Sequence, residues 1–455
     1  MDTWRQVAEF VTSVKFDKLP AEVISHAKWV FLDTLGAILA GNMVNPLPEL
    51  AQWRPSRSGN ATVLGHPGLY DVYQAALING TAAVALELDE GHQRAKGHPA
   101  SHLIPAALAW AEQAGASGIQ LLESIVAGYE VAARLGAAAN LSPSVHPHGT
   151  WGTVGAGIAV AKQRDFSIKG VEETIRVAAS LALAASWEAA TEGATVRNLY
   201  TGLSNHLGIL ATDVVRAGFQ GPVGAPVTVF GKILSSGFNS QVVTNGLGFD
   251  YWISQNYFKM YSCCRYNHAP LDAIAFLKER TKFTSQQVES IVVDTYSLAA
   301  KLANQEPLNT LAARFSIPFA VATYIVTGGA GMDVFTQETL EREDIRNLAR
   351  RVFVQEDPKL SAMLPQKRPA RVTVTFFSGD TFSYQVDSAA GGFDNPYPQT
   401  VLQNKFISLA QSVVGPGKAG DIVTISLHLE QLDDVRQLTE HLKPQWESHE
   451  SFDQL

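Results

Sequence analysis

Acids, bases and titratable imidazoles crowd one stretch, Leu86-Glu-Leu-Asp-Glu-Gly-His-Gln-Arg-Ala-Lys-Gly-His-Pro-Ala-Ser-His102. It carries Glu87, Asp89, Glu90, His92, Arg94, Lys96, His98 and His102 between the apolar runs Ala75–Ala85 and Leu103–Trp110. Charged groups rarely go inside unpaired, so a polar loop between buried helices is a natural place to build a site. A second interruption, residues 139–152, contains Val145-His-Pro-His-Gly-Thr-Trp-Gly152 and runs into a helix. Backbone N–H groups at a helix start favour an anion, and the glycines let it approach. Arg197 follows the break Glu192-Gly-Ala-Thr-Val; its planar fork suits a carboxylate clamp or a salt bridge. The third dense patch is Tyr257-Phe-Lys-Met-Tyr-Ser-Cys-Cys-Arg-Tyr-Asn-His268. Partial burial of Lys259 among these aromatics would lower its pKa and make it a base.

His98, His146, Arg197, Lys259, Arg265 and His268 are cationic or protonatable, and Glu87 and Asp89 offer local counter-charge. In a chain of net charge −8, their convergence would select a small anion, most simply a di- or tricarboxylate. No nucleotide-binding motif, standard zinc spacing or Ser-His-Asp signature is present, so no cofactor is expected. Acid–base chemistry remains: proton abstraction beside a carboxylate, followed by elimination, reprotonation or loss of CO₂. Two other readings stay open. One is a metal-dependent hydrolase using Asp89, His92, His98 and His102; the other is a catalytically idle polycarboxylate-binding protein.

The elements that must hold these groups are mostly helices. Val7, Phe10, Val11 and Val14 recur at helical spacing, and a second helix runs from Pro20 to Gly41 with Asp33 inside it as a paired core acid or helix–helix hydrogen-bonder. Further helices are expected at 47–53, 70–86, 103–114, 117–135, 153–162 and 171–190, and after a break at 192–198 a helix resumes through Leu203, Leu207, Leu210 and Val214, with an extended segment at 61–65. Up to about residue 260 the chain reads as nearly all helix. Strand patterns follow at 291–293, 351–354 and 371–386, the last a hairpin turning at Ser378-Gly-Asp380. Helices at 270–281 and 314–326 intervene, and 396–414 and 432–442 return to helix. The expected fold is mainly α: residues 1–262 and 391–455 in one helical domain, with 263–390 a smaller α+β unit inserted in it.

Composition sets the class. Charged residues make up 17% of the 455, below the usual quarter, which with abundant alanine and glycine favours close helix packing. An acidic chain without Lys/Arg blocks gives no footing for nucleic acid or anionic membrane. The only cysteines, Cys263 and Cys264, are adjacent, so no disulfide framework is expected. Runs such as 315–326 are too short to span a bilayer, and the first residues lack a leader pattern. The expectation is a cytoplasmic protein.

In these same residues the sequence resembles the MmgE/PrpD family. The matching stretches are Leu19-Pro-Ala-Glu-Val with Phe31–Gly41, Asn79-Gly-Thr-Ala-Ala with Glu87–His92, and His98-Pro-Ala-Ser with Pro105–Ala109. They continue through His146–Gly155, Phe258–His268 and Asn395-Pro with Asn404-Lys-Phe406. The resemblance implies a large helical domain made from both ends of the chain, a smaller α+β lid, a homodimer and a cofactor-free site between the domains. It places the family's active-site histidines on His98 and His146, its inter-domain lysine on Lys259, its later histidine on His268 and its acidic loop on Glu87–Glu90. The expected catalytic set is therefore Lys259, His98, His146 and Asp89. Glu87, Thr150, Arg197, Cys264, Arg265 and His268 are expected to bind substrate. Gly91 stands where the family often has threonine. Arg197, Cys264 and Phe319 align with a lysine, a histidine and a tyrosine of its decarboxylase branch. These departures favour a dehydratase-type lyase or an epimerase over a decarboxylase. His92 and His102 are expected to be structural.

Overall fold

The computed structural model describes residues 3–52 and 59–445. The first helix, Thr3–Ser13, buries Trp4, Val7, Ala8, Phe10 and Val11 on one face. Ala21–Gly41 is buried nearly all round from Ala27 onward. Among the described residues it is the one helix long and apolar enough to cross a bilayer, but 78% of that window is buried inside the chain's own core. Length alone therefore does not separate it from a membrane span, contrary to the expectation from apolar runs; packing does. Its one buried acid, Asp33, receives Lys405 Nζ at 2.6 Å, and the same ammonium donates to the Leu88 carbonyl at 2.7 Å. Asp33 is thus a paired core acid. Through Lys405 it moors the start of the polar loop to the Gln399–Val414 helix.

Small residues set the spacing of the central helices, Val72–Ala83, Pro99–Ala114, Gly118–Ala138, Gly152–Gln163 and Val196–Arg216. A Cβ added at Gly155 would lie 2.6 Å from Ala132 Cβ, and one at Gly208 would lie 2.3 Å from Ala156 Cβ. Nothing larger than hydrogen fits at either crossing. Pro105 interrupts the Pro99–Ala114 helix, and lacking an N–H it leaves the Ser101 carbonyl without its helical donor. Asn205 repairs this: Nδ2 donates to the Ser101 carbonyl at 2.9 Å, and Oδ1 accepts from Ala106 N at 2.9 Å.

Buried apolar side chains form two large clusters. One draws on residues 4–258 together with 402–442; the other comprises Ala190 and residues 263–376. Phe406, Val413 and Ile422 rejoin the first cluster, so the C-terminal helices pack back on the N-terminal ones. The second cluster is built on a four-stranded sheet. Its order is Val352–Glu356, Val288–Thr295, Ala370–Phe376, Thr381–Val386; the first pair is parallel and the others antiparallel. Val293 faces Val354 on one side and Val372 on the other.

Several elements differ from expectation. The run 171–190 is not one helix: Ile168–Ser180 ends, 181–187 carries no helix, and only Glu188–Thr191 resumes. The apolar pattern there reflects burial against neighbours, which periodicity cannot distinguish from a helical face. The 314–326 run is divided between Thr310–Arg314 and Ile317–Thr327, with Ser316 capping the second helix. Pro416–Leu427 adds a helix where none was expected, and of 432–442 only Arg436–Thr439 is α-helical. Residues 61–65 contribute only a bridge, Ala61 to Tyr70. The short helix near 50 is Leu47–Gln52; Trp53 lies outside the described residues. The first 260 residues are not all helix. Ala139–Leu141 pairs with Ser235–Phe238, and Gly91–His92 pairs with Asn256–Tyr257. The second ladder joins the polar loop to the strand that leads into Lys259.

Candidate functional site

The Gly91–Tyr257 and His92–Asn256 pairing brings two sequence patches together. Pro99 opens a helix whose N-cap is His98, fixing where that imidazole leaves the loop. His98 Nδ1 lies 2.9 Å from Asp89 Oδ2 and 2.6 Å from the Glu90 carbonyl. Both partners only accept, so Nδ1 carries the proton and donates. In neutral imidazole the lone pair is then on Nε2. Ser101 Oγ donates to Asp89 Oδ2 at 3.0 Å, which steadies the carboxylate.

Behind Asp89 lies a buried four-membered charge network. Lys259 Nζ is 3.3 Å from Asp89 Oδ1 and 3.4 Å from Glu87 Oε2. Arg197 Nη2 pairs with Glu87 Oε1, and Arg197 Nη1 donates to the Val84 carbonyl at 3.1 Å. Glu87 holds a left-handed backbone, φ 53°, a conformation costing roughly 1–3 kcal/mol that persists only when its surroundings fix it. Two cations on its carboxylate do so. Burial pushes Asp89 upward, but His98 and Lys259 outweigh it and hold the carboxyl well below its usual range. Burial disfavours the Lys259 ammonium, yet Asp89 and Glu87 win and raise it above the ordinary lysine value. This corrects the expectation of a lysine base with a lowered pKa. The carboxylates responsible lie about 170 residues away in sequence.

His146 accepts the His148 backbone N–H on Nδ1 at 3.1 Å, so neutral His146 carries its proton on Nε2. Burial, then the nearby Arg197, keeps it uncharged. Its ring stacks on Trp187 with centroids 5.0 Å apart. His148 lies edge-on to His146, His102 and His98, and its Nδ1 meets Thr201 Oγ1 at 3.0 Å. His102 Nδ1 donates to the His98 carbonyl at 2.7 Å. His92 stacks on Trp252 at 5.3 Å, nearly parallel, and accepts Ala95 N. Burial depresses His92 to about 3 and His102 to about 4, so both stay neutral.

A cavity of about 290 Å³ opens onto these groups. From the first cluster's side it is lined by Glu87, His98, His146, His148 and Arg197; Cys264, Arg265, Tyr266, Lys301, Phe315 and Arg368 come from the other. Tyr257 also lines it and sits over Gly91, where a Cβ would lie 2.3 Å from the Tyr257 hydroxyl oxygen. The loop's glycine thus leaves room for a phenol. Cys264 is pushed up to about 11, first by burial and then by Glu87, so its thiol stays protonated. A larger cleft, about 830 Å³, lies elsewhere near Arg5, Lys15 and Arg176, and no histidine lines it.

His98, His146, Glu87, Arg197, Cys264 and Arg265 thus line one cavity. Four expected residues do not line it. Asp89 and Lys259 stand behind Glu87 and His98. Thr150 is fully buried and donates to the Pro147 carbonyl at 2.6 Å, its small β-branched side chain being spent on the turn before the Gly152–Gln163 helix. His268 is buried beside Arg265 Nη1 at 3.2 Å as the first residue of the His268–Thr281 helix and does not line the cavity. Phe319 is core; Phe315, four residues earlier between two helices, reaches the wall. The proposed metal set is not assembled, because His92 is held on Trp252 and His102 on the His98 carbonyl. Among the described residues no group of three or more His, Cys, Asp or Glu side chains is placed to hold an ion. Sequence reasoning missed Tyr257, Lys301 and Arg368. No local pattern marks the last two; Tyr257 opens the third dense patch, but nothing in its local sequence shows that its phenol reaches the cavity.

Family models of the MmgE/PrpD N-terminal and C-terminal domains match residues 5–239 and 261–431. A cis-aconitate decarboxylase of Aspergillus terreus is 23% identical over 468 residues, spanning 96% of this chain and 95% of its own. A cis-aconitate decarboxylase-like protein of Aspergillus oryzae is 26% identical over 473 residues, spanning 95% of each chain. The human cis-aconitate decarboxylase is 26% identical over 459 residues, spanning 96% of this chain and 93% of its own.

Proposed function

The chain belongs to the MmgE/PrpD family, and from that premise we propose that it is a lyase or isomerase that moves a proton at the carbon next to a carboxylate of a small polycarboxylic acid. The observation carrying this reading is the Asp89–His98 pair, which fixes the tautomer and leaves Nε2 as the basic nitrogen of a cavity-lining imidazole. Nε2 takes the proton from the α-carbon, and the C–H electron pair spreads into the adjacent carboxylate. Arg197, a cavity-lining cation beside the acid loop, is placed to receive that charge, and His146 offers an uncharged N–H donor. Asp89 balances the imidazolium that forms. The proton then goes to a departing β-hydroxyl, giving water and an alkene, or returns to the carbon from a donor on the other face, giving the epimer. Lys259 is assigned to holding Asp89 ionised and to pairing with Glu87. The site uses only side-chain groups, and residues 263–390 act as its lid.

The relatives' names favour a second reading, loss of CO₂ from an unsaturated tricarboxylic acid. There the C–CO₂⁻ bond breaks, its electron pair enters the alkene–carboxylate system, and an initially protonated His98 delivers its proton to carbon. Product NMR on citrate-like, cis-aconitate and iminodisuccinate-type acids separates the readings. A new alkene signal with water loss marks dehydration, inversion without mass change marks epimerisation, and CO₂ release marks decarboxylation. Saturable binding without any of these would leave a polycarboxylate-binding protein. The protein is further proposed to be a homodimer; the run 219–233 exposes Phe219, Val223 and Ile233, an apolar face that a second copy would cover. A solution mass equal to one 49.1 kDa chain would contradict this.

A further inference from the structure

Four cations line the cavity without an acidic partner among the described residues: Lys96, Arg265, Lys301 and Arg368. They differ in what they can still bind. Lys96 and Lys301 stand at the rim, Lys301 exposed and Lys96 only partly covered, where water and salt weaken a contact. Arg265 is already committed: Nη1 donates to the Ala390 carbonyl and Nη2 to the Ala389 carbonyl, each at 2.8 Å. Arg197 pairs with Glu87 and is already assigned to the reacting carboxylate. Arg368 is the exception. Its Nη2 donates to the Gln93 carbonyl at 2.7 Å, while Nε and Nη1 have no protein acceptor among the described residues.

The guanidinium is held in place without an acid. Gln93 Nε2 donates back to the Pro365 and Gln366 carbonyls at 2.9 and 3.0 Å, closing a reciprocal clasp between the polar loop and residues 365–368. The Arg368 guanidinium also lies 5.4 Å from the Tyr266 ring centroid. A fork fixed in this way loses little freedom when it meets a carboxylate. The cations also crowd one another: burial first, and then Arg368, lower the Lys96 pKa. An arriving anion relieves that repulsion.

We infer that Arg368 is a specificity residue, binding a second carboxylate of the substrate that is not attached to the reacting carbon. The inference rests on the polycarboxylate reading above, in which the reacting end lies at His98 and Arg197. Arg368 reaches the cavity from the other apolar cluster, so one molecule with two carboxylates bridges both. Removing the second carboxylate leaves Arg368 facing an empty partner position, and affinity falls.

The test titrates the full-length protein with glutarate and with glutaramate, its near-isosteric mono-amide, followed by calorimetry or ligand-detected NMR. Wild type is expected to bind glutarate at least tenfold more tightly. Arg368→Gln should lower glutarate affinity about tenfold, leave glutaramate within threefold, and so abolish the preference. Arg368→Lys keeps the charge without the fork and should retain part of it; this milder variant also serves if the glutamine variant melts early. A preference that survives Arg368→Gln in a folded protein, or an equal loss for both ligands, overturns the inference while leaving the polycarboxylate site standing. Equal wild-type affinities do the same. Saturable binding of neither ligand to wild type overturns the polycarboxylate reading itself, and this inference with it.

Discussion

Replacing Asp89 by asparagine removes one charge from the buried network and leaves its shape nearly unchanged. At the observed 3.3 Å separation, the Lys259–Asp89 attraction is about 5 kcal/mol for an effective dielectric of about 20. Desolvation offsets part of this, and removing one partner of a buried pair typically costs ~3–5 kcal/mol. Asp89→Asn should therefore destabilise the protein by roughly that much in denaturant titration. Turnover should fall more than stability explains, on the order of 10²–10⁴-fold at a temperature where the variant stays folded. His98 loses the partner that orients its Nδ1–H and balances its imidazolium. The second variant separates the two effects. Adding Lys259→Met to Asp89→Asn removes the stranded ammonium and should restore roughly 2 kcal/mol of stability, with no recovery of turnover. If turnover returns in the double variant, Asp89 serves only to balance Lys259. If Asp89→Asn alone turns over within threefold of wild type, the Asp89–His98 pair is not the proton-transfer unit.

Further outcomes follow from the same geometry. Lys259→Ala leaves Asp89 and Glu87 facing one another without their shared cation, so the melting temperature should drop; an unchanged melt with lost turnover would instead make the ammonium a direct participant. Gly91→Ala places a methyl group 2.3 Å from the Tyr257 hydroxyl and should displace the phenol, with an effect not additive to Tyr257→Phe; additive losses in kcat/KM would separate the two residues. Glu90 is pushed up to about 8, chiefly by burial, against the donors Ala100 N, Tyr129 and Asn256. Between pH 4.5 and 8 the folded state keeps a proton that the unfolded chain releases, so stability falls as pH rises through that window and levels off above it. Burial raises Glu130 to about 7 and adds the same sign. Thermal melts at pH 6 and 9 should show this slope, and Glu90→Gln should flatten it.

The acid loop was legible because ionisable residues between two apolar helices need partners, wherever those partners come from. Glu87, His98 and His146 could be identified from local context alone. The direction of the Lys259 shift could not, because burial and ion pairing act in opposite senses and its two carboxylates belong to a different element. Thr150 and His268 sit within patches that do contribute to the cavity, but sequence proximity does not say which side chain turns inward. Arg368 has neighbours in sequence that suggest a loop; only the Gln93 clasp places its guanidinium at the cavity. The hairpin at 370–386 was legible for the opposite reason, since alternation and turn chemistry are local. The same locality made 171–190 look continuous, although Ile168–Ser180 stops where Leu183 N reaches across to the Gly149 carbonyl.

The central claim is that His98, oriented by Asp89, exchanges a proton with the carbon next to a carboxylate. The most direct measurement is deuterium incorporation from D₂O into the panel acids or their products, read by NMR for wild type and His98→Gln. The account predicts deuterium at one carbon adjacent to a carboxylate with wild type, and loss of that signal in a folded His98→Gln protein. Exchange that continues at the wild-type rate in His98→Gln would contradict it.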